Sequence, residues 1–265
     1  MQRKGLPVMI LCGGIGSRLH EETEFRPKPL LEIGGLPILW HIMRLYAFYG
    51  FQEFILCLGY KGHLIKEFFL RYRTYQSDFT ISLGPSERIE YHSPMDGEGW
   101  RVTLVDTGQT TQTGARIARA ARYVRGETFL ATYGDGLGNI NLRALLQFHR
   151  SHGKIGTVTG VRPPGRFGEL EVGNAGRVTQ FNEKPQVTGG IINGGFFVFQ
   201  RAFVDRYLSE QEGLVLEQAP LQGLTRDGQL QVYLHEGFWQ PMDTFREFKL
   251  LNDLWASGRA PWKVW

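Results

Sequence analysis

The chain has 265 residues, 42% of them hydrophobic, and its 30 Lys and Arg against 26 Asp and Glu give a net charge of +4. This length and apolar content favour a folded domain with a large core, and two cysteines are too few for a disulfide scaffold. The basic residues are dispersed, which argues against a nucleic-acid partner. No apolar run is long enough to span a membrane, and residues 1–5 lack a signal-peptide pattern, so we expect a cytoplasmic protein without a membrane partner.

The first predicted element is a buried strand over residues 7–12, which stops at a cluster of three glycines within residues 13–16. Glycine allows positive φ angles and lets backbone N–H groups approach a ligand closely. Such a loop can hold an anion, and the cations Arg18 and Lys28 follow it. The segment therefore predicts a phosphate site.

Two better-known phosphate loops do not match this segment. A Walker A loop ends in Gly-Lys-Ser/Thr, whereas this loop has Gly16-Ser17-Arg18. The dinucleotide fingerprint requires a third glycine where this chain has Leu19. A glycine-rich turn that only reverses the chain stays open as an alternative, although it would have no use for the nearby cations.

After the loop, helices and strands alternate, which favours parallel βαβ units. The predicted helices cover residues 37–49, 61–75, 113–125, 141–151, 201–208, 217–226 and 244–256. The predicted strands cover 53–58, 100–105, 127–133, 155–162, 196–199 and 229–234, with a hairpin at 169–172 and 177–182. Residues 78–99 have a weaker pattern, typical of an inserted loop or hairpin. No repeat or low-complexity linker divides the chain, so we expect one domain over residues 1–265.

Two acidic residues stand at the ends of predicted elements, and the first is at a position suited to a metal. Asp135 directly follows a predicted strand, and ligands bind at the carboxyl ends of parallel strands. It could also belong to an ordinary Asp-Gly turn. Asp243 precedes the last helix and could be only its cap.

Three arginines, Arg116, Arg119 and Arg122, recur at three-residue spacing on the helix predicted at 113–125. Their simplest interpretation is a solvated face. Arg116 differs because it stands in the first turn, where it could reach a ligand.

Together these motifs resemble the sugar-1-phosphate nucleotidyltransferases. Residues 11–19, Leu-Cys-Gly-Gly-Ile-Gly-Ser-Arg-Leu, are similar to the family signature L-x-G-G-x-G-[ST]-R-L, and Pro-Lys-Pro at 27–29 resembles its lysine motif. Segments 133–136, 164–168, 192–198 and 237–244 look like those of the glucose-1-phosphate cytidylyltransferases within that family. The resemblance implies a Rossmann-like, three-layer α/β fold with a mostly parallel mixed sheet flanked by helices, a small β-hairpin region and a C-terminal helix.

The reaction implied by the resemblance joins CTP and α-D-glucose 1-phosphate into CDP-glucose and pyrophosphate with Mg²⁺ as cofactor. The sugar-phosphate oxygen attacks the α-phosphorus in line, so positioning and electrostatics carry the rate without a protein nucleophile. The family also implies a homo-oligomer, a trimer or hexamer, and a place in lipopolysaccharide O-antigen biosynthesis.

The resemblance also assigns residues. Arg18 and Lys28 are implied to be catalytic, with Arg18 on the β and γ phosphates and Lys28 between the α-phosphate and the attacking group, while Asp135 and Asp243 bind the metal. The implied nucleotide-binding residues are Leu11, Cys12, Gly13, Gly14, Ile15, Gly16, Ser17, Arg18, Lys28, Thr111, Arg116 and Gly134. The implied sugar-phosphate-binding residues are Gly168, Glu183, Lys184 and Asn193. On this assignment the nucleotide-binding half covers about 1–135 and the sugar-phosphate half 136–265.

Other functions stay open at this point. The chain could be a thymidylyl- or uridylyltransferase acting on a hexose 1-phosphate, or a catalytically silent regulatory homologue that binds nucleotide sugars. A glycosyltransferase is disfavoured because the Asp-x-Asp motif it would need is replaced by Asp135-Gly136-Leu137. The histidines have no metal-ligand spacing, and the tryptophans near the C-terminus are expected to pack rather than stack on a base.

Overall fold

The computed structural model describes residues 5–14, 16, 19, 23–84, 88–92, 98–163, 169–172, 177–182 and 190–265. Its centre is an eight-stranded sheet. The strands are β1 (Pro7–Cys12), β2 (Glu53–Leu58), β3 (Arg101–Asp106), β4 (Thr128–Tyr133), β5 (Gly156–Val161), β6 (Ile192–Asn193), β7 (Phe197–Gln200) and β8 (Leu230–His235). The helices are α1 (Ile38–Phe48), α2 (Gly62–Leu70), α3 (Tyr72–Gln76), α4 (Thr113–Ala120), α5 (Leu142–His152), α6 (Arg201–Tyr207), α7 (Ala219–Arg226) and α8 (Phe245–Ala256).

The strand directions place most carboxyl ends at one edge of the sheet. Strand β1 pairs in parallel with β2 and β4, and β2 pairs in parallel with β3. Strand β7 is antiparallel to both β4 and β5, so β5 again runs in the direction of β4, and β8 is parallel to β5. The predicted mostly parallel mixed sheet is therefore confirmed, and the carboxyl ends of β1, β4, β5 and β8 lie at the same edge.

Burial on both faces makes the fold three layers deep. Val8 and Ile10 of β1 pack into one hydrophobic cluster, which includes residues of α1, α2, α5 and α8. Met9 and Leu11 point to the other face and pack with residues of α4, α6 and α7. A strand buried on both faces needs apolar residues at every position, which is why residues 7–12 show a continuous apolar run.

Some elements differ from their predicted bounds. The helix predicted over 61–75 is two helices, because Arg71 has a ψ of 8° and turns the chain between them. Residues 78–99 contain an antiparallel ribbon of Phe79–Ser82 and Arg88–Tyr91, so the hairpin alternative was right. The helix predicted over 113–125 ends at Ala120 and continues as a 3-10 turn at Ala121–Tyr123.

Two histidines, His41 and His149, are buried in the fold. His41 is fully buried, lies 2.8 Å from the carbonyl oxygen of Ile33, and has the rings of Trp255 and Trp262 at 4.6 and 6.2 Å between centroids. His149 is also buried. Burial lowers the pKa of each imidazole to about 4, so both are neutral in the folded protein at neutral pH.

No helix in the part of the chain described above is long and apolar enough to cross a bilayer.

Candidate active site

The two acids predicted to hold a metal are brought together by a short antiparallel ribbon. Gly136–Gly138, directly after Asp135, pairs with Trp239–Pro241, which lies just before Asp243. The backbone N–H of Met242 also donates to the carbonyl oxygen of Asp135 at 2.8 Å. Residues far apart in the chain therefore place their carboxylates side by side at the carboxyl edge of the sheet.

Lys28 lies between these carboxylates. Its Nζ is 2.7 Å from Oδ2 of Asp135 and 2.6 Å from Oδ1 of Asp243. The Lys28 side chain is only 10% exposed, whereas those of Asp135 and Asp243 are 33% and 24% exposed. Burial acts to lower the pKa of the ammonium, but contact with Asp135 and with Asp243 outweighs it, so the pKa is raised and Lys28 is charged.

The backbone around Lys28 is held against the glycine loop. Lys28 begins a 3-10 turn, and the prolines on either side, Pro27 and Pro29, fix φ on both sides of it. Gly16 has a φ of +70°, and a Cβ built there would lie 3.5 Å from the Cβ of Lys28. The base of the lysine is therefore rigid, and it stands next to the loop predicted to hold phosphates.

Gly134 joins the loop after β1 to the acid after β4. Its N–H donates to the carbonyl oxygen of Leu11 at 3.0 Å, and a Cβ at this position would lie only 2.8 Å from that oxygen. The glycine is needed because two strand ends approach each other so closely. The structure gives Gly134 this backbone role, and its predicted nucleotide contact stays a prediction.

Arg116, which we set apart from the predicted solvated face of arginines, is buried against backbone carbonyl groups. This residue is only 4% exposed, and its guanidinium donates to four backbone carbonyl oxygens and one hydroxyl at 2.7–3.1 Å. The acceptors belong to Gly13, Leu58, Thr107, Gly108 and Gln109. Burial lowers the pKa of the guanidinium below its usual value. Arg116 thus ties the glycine loop to the ends of β2 and β3.

Arg119 is half-buried and held by hydrogen bonds, so the predicted solvated face is wrong for this residue. Its guanidinium donates at 2.8 Å to the carbonyl oxygen of Thr107 and to the hydroxyl of Thr111. Only Arg122 is exposed. Equal spacing shows that residues lie on one side of a helix, but it does not show whether backbone carbonyl groups are close enough on that side to accept hydrogen bonds. The predicted nucleotide contacts of Thr111 and Arg116 stay predictions.

The remaining predicted nucleotide residues divide into two groups. Leu11, Cys12, Gly13 and Gly14 end β1 and begin the loop, and the side chains of Leu11 and Cys12 are buried in the two hydrophobic clusters. Any ligand contact at these two positions would therefore be made by the backbone. The predicted nucleotide residues Ile15, Ser17 and Arg18 lie outside the described residues. The same is true of the predicted sugar-phosphate residues Gly168, Glu183 and Lys184.

Asn193, the described member of the predicted sugar-phosphate group, is oriented by its neighbours. Its Oδ1 accepts from the N–H of Gly195, and its Nδ2 donates to the hydroxyl of Tyr133, both at 2.9 Å. The Tyr133 hydroxyl donates in turn to Oε1 of Glu217 at 2.5 Å. Burial and this carboxylate raise the pKa of the phenol. Sequence reasoning missed Tyr133 and Glu217, although the place of Tyr133 at a strand end, just before Asp135, was a usable signal.

A cleft of about 1160 Å³ opens over the two carboxylates. Its walls include Trp239, whose Nε1 donates to the carbonyl oxygen of Gly194 at 2.9 Å. Arg246 and Lys249 of α8 also line it, and sequence reasoning missed both. Their three-residue spacing directly after Asp243 was the available signal. The cleft is large enough for a nucleotide-sized ligand and offers cations as well as carboxylates.

The alternative role of Asp243 as a helix cap is excluded. Thr244 is the N-cap of α8, and it forms a capping box in which its hydroxyl accepts from the N–H of Glu247 at 3.4 Å. Oε2 of Glu247 accepts from the N–H groups of Asp243 and Thr244 at 2.7 and 2.9 Å. Thr244 is therefore the cap residue, and Oδ1 of Asp243 contacts Lys28 at 2.6 Å.

The donor set fits a hard divalent cation. No group of three or more His, Cys, Asp or Glu side chains able to hold a metal occurs among the residues that the structure describes. Mg²⁺ commonly takes only one or two carboxylates and completes its octahedron with phosphate oxygens and water. Asp135 and Asp243, which present oxygen ligands to a cleft, satisfy that requirement.

Similar sequences identify the family of this chain. Residues 7–249 match the family model described as nucleotidyl transferase. The chain belongs to the nucleotidyl transferase family. This nucleotidyl transferase is 48% identical over 261 residues to the glucose-1-phosphate cytidylyltransferases of Salmonella typhimurium and Salmonella typhi, over 98% of this chain and 100% of each relative. The predicted family is confirmed.

The fold is likewise shared with solved structures. The crystal structure of HddC from Yersinia pseudotuberculosis superimposes with a TM-score of 0.68 at 20% identity and covers 94% of this nucleotidyl transferase and 99% of that chain. The predicted three-layer nucleotidyltransferase fold is confirmed.

Proposed function

We propose that this nucleotidyl transferase joins CTP and α-D-glucose 1-phosphate into CDP-glucose and pyrophosphate. The observation that carries the proposal is the cluster of Lys28, Asp135 and Asp243, which lies beside a glycine loop in a cleft sized for a nucleotide. The choice of CTP and glucose 1-phosphate is supported by the two full-length relatives, which are glucose-1-phosphate cytidylyltransferases.

The reaction needs no protein nucleophile. A phosphate oxygen of glucose 1-phosphate attacks the α-phosphorus of CTP in line; the bond from that phosphorus to the α,β-bridging oxygen breaks, and pyrophosphate leaves with the electron pair. The thiols of Cys12 and Cys57 take no part in this reaction. Both are free and buried, and burial raises the pKa of the Cys57 thiol to about 12 and also raises that of Cys12, so neither supplies a thiolate.

The protein's main task is to hold two polyanions together. The backbone of the glycine loop and Arg18 bind the triphosphate in this proposal, and Lys28, which has three N–H donors and no acceptor, contacts the α-phosphate and the attacking phosphate. Lys28 stands on a rigid turn beside the loop, so its ammonium can change partners without moving the backbone. Such fixed charges lower the barrier by positioning and by stabilising the charge that develops.

Asp135 and Asp243 are the residues that would hold Mg²⁺. When bound, the ion supplies positive charge that offsets the charge developing on the leaving pyrophosphate. Both carboxylates line the cleft, and they meet at the Nζ of Lys28, so one cation could contact both.

The sugar side of the site is assigned to Asn193, Glu183, Lys184 and Gly168. Support comes from Asn193, whose carboxamide is already oriented by Tyr133 and Gly195 and needs no further ordering to bond a hydroxyl. Lys184 grips the phosphate in this proposal, and Glu183 bonds a sugar hydroxyl.

The test is a nucleotide panel. The purified protein is incubated with glucose 1-phosphate and CTP, UTP, dTTP, ATP or GTP separately, with and without Mg²⁺, and pyrophosphate release is measured. We expect the fastest turnover with CTP and Mg²⁺. Faster turnover with UTP or dTTP would replace the proposal with a uridylyl- or thymidylyltransferase, and no turnover with any nucleotide would favour a silent homologue.

Carboxylate variants link the activity to the site. Asp135→Asn and Asp243→Asn should lose pyrophosphate release while keeping the far-ultraviolet circular dichroism of the wild type. Asp253→Asn is the matched control, because Asp253 lines the same cleft but does not contact Lys28. If all three variants kept full activity, the metal assignment would be wrong.

We also infer that the enzyme is a cytoplasmic homo-oligomer, a trimer or hexamer, whose product supplies lipopolysaccharide biosynthesis. The two free thiols support a reducing compartment. The exposed apolar side chains of Leu70 and Leu83, at 84% and 85%, support association between subunits.

A further inference from the structure

Lys28 and a divalent metal need the same carboxylate oxygens. The ammonium contacts Oδ2 of Asp135 at 2.7 Å and Oδ1 of Asp243 at 2.6 Å, so its charge already offsets part of the charge that would attract a cation. We infer that Lys28 couples metal binding to nucleotide binding: the ammonium contacts both carboxylates and opposes metal binding until a triphosphate binds the ammonium in their place. This inference rests on the proposed metal role of Asp135 and Asp243.

Charge is the first reason for the coupling. Two carboxylates and one ammonium leave a net charge of −1 at the cluster, and a divalent ion arriving alone would meet the ammonium at close range. The Lys28 side chain is only 10% exposed, so water screens that repulsion poorly. The lysine and the metal therefore oppose each other as long as the ammonium has no other anion to contact.

A triphosphate supplies that other anion. Lys28 follows the glycine loop, and Gly16 of the loop lies close enough that a Cβ there would be 3.5 Å from the Cβ of Lys28. Pro27 and Pro29 hold the backbone, while the four-carbon stem can rotate. A phosphate group in the loop would thus be within reach of the ammonium by side-chain rotation alone, and the two carboxylates would then be released to the metal.

A purely structural ion pair is the competing explanation, and the burial pattern disfavours it. An ion pair whose carboxylates reach solvent contributes little to the stability of a fold. Here Asp135 and Asp243 are 33% and 24% exposed and line a cleft of about 1160 Å³, while the ammonium between them is the buried member. The carboxylates are therefore accessible to an incoming ion from the cleft side.

The coupling must be reciprocal. If nucleotide raises the affinity for metal by some factor, metal raises the affinity for nucleotide by the same factor, because both bind one protein in a closed cycle. Removing the ammonium should strengthen binding of the metal alone and weaken the coupling. A factor of about tenfold lies within the usual range for coupled sites.

The experiment measures Mn²⁺ binding by the loss of the free-ion signal in electron paramagnetic resonance. Wild type and Lys28→Gln are titrated with Mn²⁺ with and without α,β-methylene-CTP, a non-reacting analogue, and binding of Mn²⁺ to the analogue is measured separately without protein. We expect the analogue to tighten Mn²⁺ binding to wild type about tenfold. We expect Lys28→Gln to bind Mn²⁺ alone about tenfold more tightly than wild type, with little further gain from the analogue.

Matched variants show whether the change in Mn²⁺ affinity comes from Lys28 and from the two carboxylates. Lys249→Gln also removes an ammonium from the cleft wall and should bind Mn²⁺ as wild type does. Asp135→Asn should lose tight Mn²⁺ binding. If Lys28→Gln does not fold, Lys28→Met serves, with thermal melting as a second measurement: Mg²⁺ alone should raise the melting temperature of the Lys28 variant more than that of wild type.

Two results would overturn the inference, and they differ. Equal Mn²⁺ affinity for wild type and the Lys28 variant, with binding lost in Asp135→Asn, would leave the metal assignment in place and remove the coupling. Unchanged Mn²⁺ binding in Asp135→Asn would remove the metal assignment itself and the coupling with it. Neither result bears on nucleotide choice, which the nucleotide panel tests on its own.

Discussion

Arg116 fixes the base of the glycine loop, and its loss should destabilise the whole domain. The perturbation is Arg116→Met, which keeps an unbranched apolar stem but removes every N–H donor of the guanidinium. Five hydrogen bonds at 2.7–3.1 Å are lost. Because they join the glycine loop to the ends of β2 and β3, the loss should reach beyond the helix that carries the residue.

The magnitude follows from what the acceptors do afterwards. The carbonyl oxygens of Leu58 and Gly13 each keep a second backbone donor. Gly108 and Gln109 are at least partly exposed, so water can replace the arginine there. The loss is therefore smaller than the sum of five charged hydrogen bonds, and we expect a decrease of about 2–4 kcal/mol in the free energy of unfolding. For a chain of this size, that lowers the melting temperature by roughly 4–16 °C.

The assay is thermal melting followed by circular dichroism, together with urea titration. Arg122→Met is the matched control, because Arg122 is exposed and should change the free energy of unfolding by no more than about 0.5 kcal/mol. If Arg116→Met and Arg122→Met melted at the same temperature as wild type, Arg116 would not hold the loop in place.

A second substitution tests the same contact from the other side. A Cβ on Gly13 would lie 2.2 Å from Cζ of Arg116, so Gly13→Ala must push the guanidinium away from its acceptors. Both changes act on one set of hydrogen bonds, and the double variant should therefore lose less stability than the sum of the two single losses. Fully additive losses would contradict this.

Two further predictions concern hydroxyl contacts and pH. Tyr133→Phe removes the acceptor for Nδ2 of Asn193, so the KM for glucose 1-phosphate should rise about two- to tenfold. Tyr207→Phe, outside the cleft, is the control and should not change this KM. Equal KM values for the two variants would show that Tyr133 does not orient Asn193 for the sugar. His41 and His149, whose pKa values burial lowers from 6.5 to about 4, take up protons more readily when unfolded. The contribution of these two histidines to the free energy of unfolding should be fully present above pH 6.5 and should be lost as the pH falls to 4. A melting temperature that stays constant over that interval would contradict this prediction.

Local patterns in the sequence were enough to predict much of the fold. The apolar run of β1, the glycines after it and the helix–strand alternation all predict their elements correctly, because each is dictated by short-range propensity and by burial on both faces of the sheet. Asp135 was predicted as a site residue because strand ends collect ligands in parallel sheets.

Other parts depend on pairings that sequence does not display. The pairing of Gly136–Gly138 with Trp239–Pro241 brings Asp243 next to Asp135, and no local pattern in the sequence predicts that pairing. The contact of both acids with Lys28 is equally non-local. The resemblance to a family brought the two acids together on one metal but did not predict their contact with Lys28, and the physical pattern alone left open whether Asp243 is only a helix cap.

Arg116 shows a different limit. Its acceptors are mainly backbone carbonyl oxygens, which every residue carries, so no residue type marks them in advance. The same is true of Gly134, whose need to be glycine arises from the approach of the Leu11 carbonyl oxygen.

The position of Arg116 also shapes the electrostatic field of the loop. In the part of the chain that the structure describes, its charge is bonded to neutral oxygens and forms no ion pair with a carboxylate. A positive charge thus lies in a poorly screened interior directly against Gly13, where the missing side chain keeps the separation from the surface short. On the proposed function, this charge should attract a nucleotide triphosphate to the loop, and nucleotide association should therefore be faster at low ionic strength.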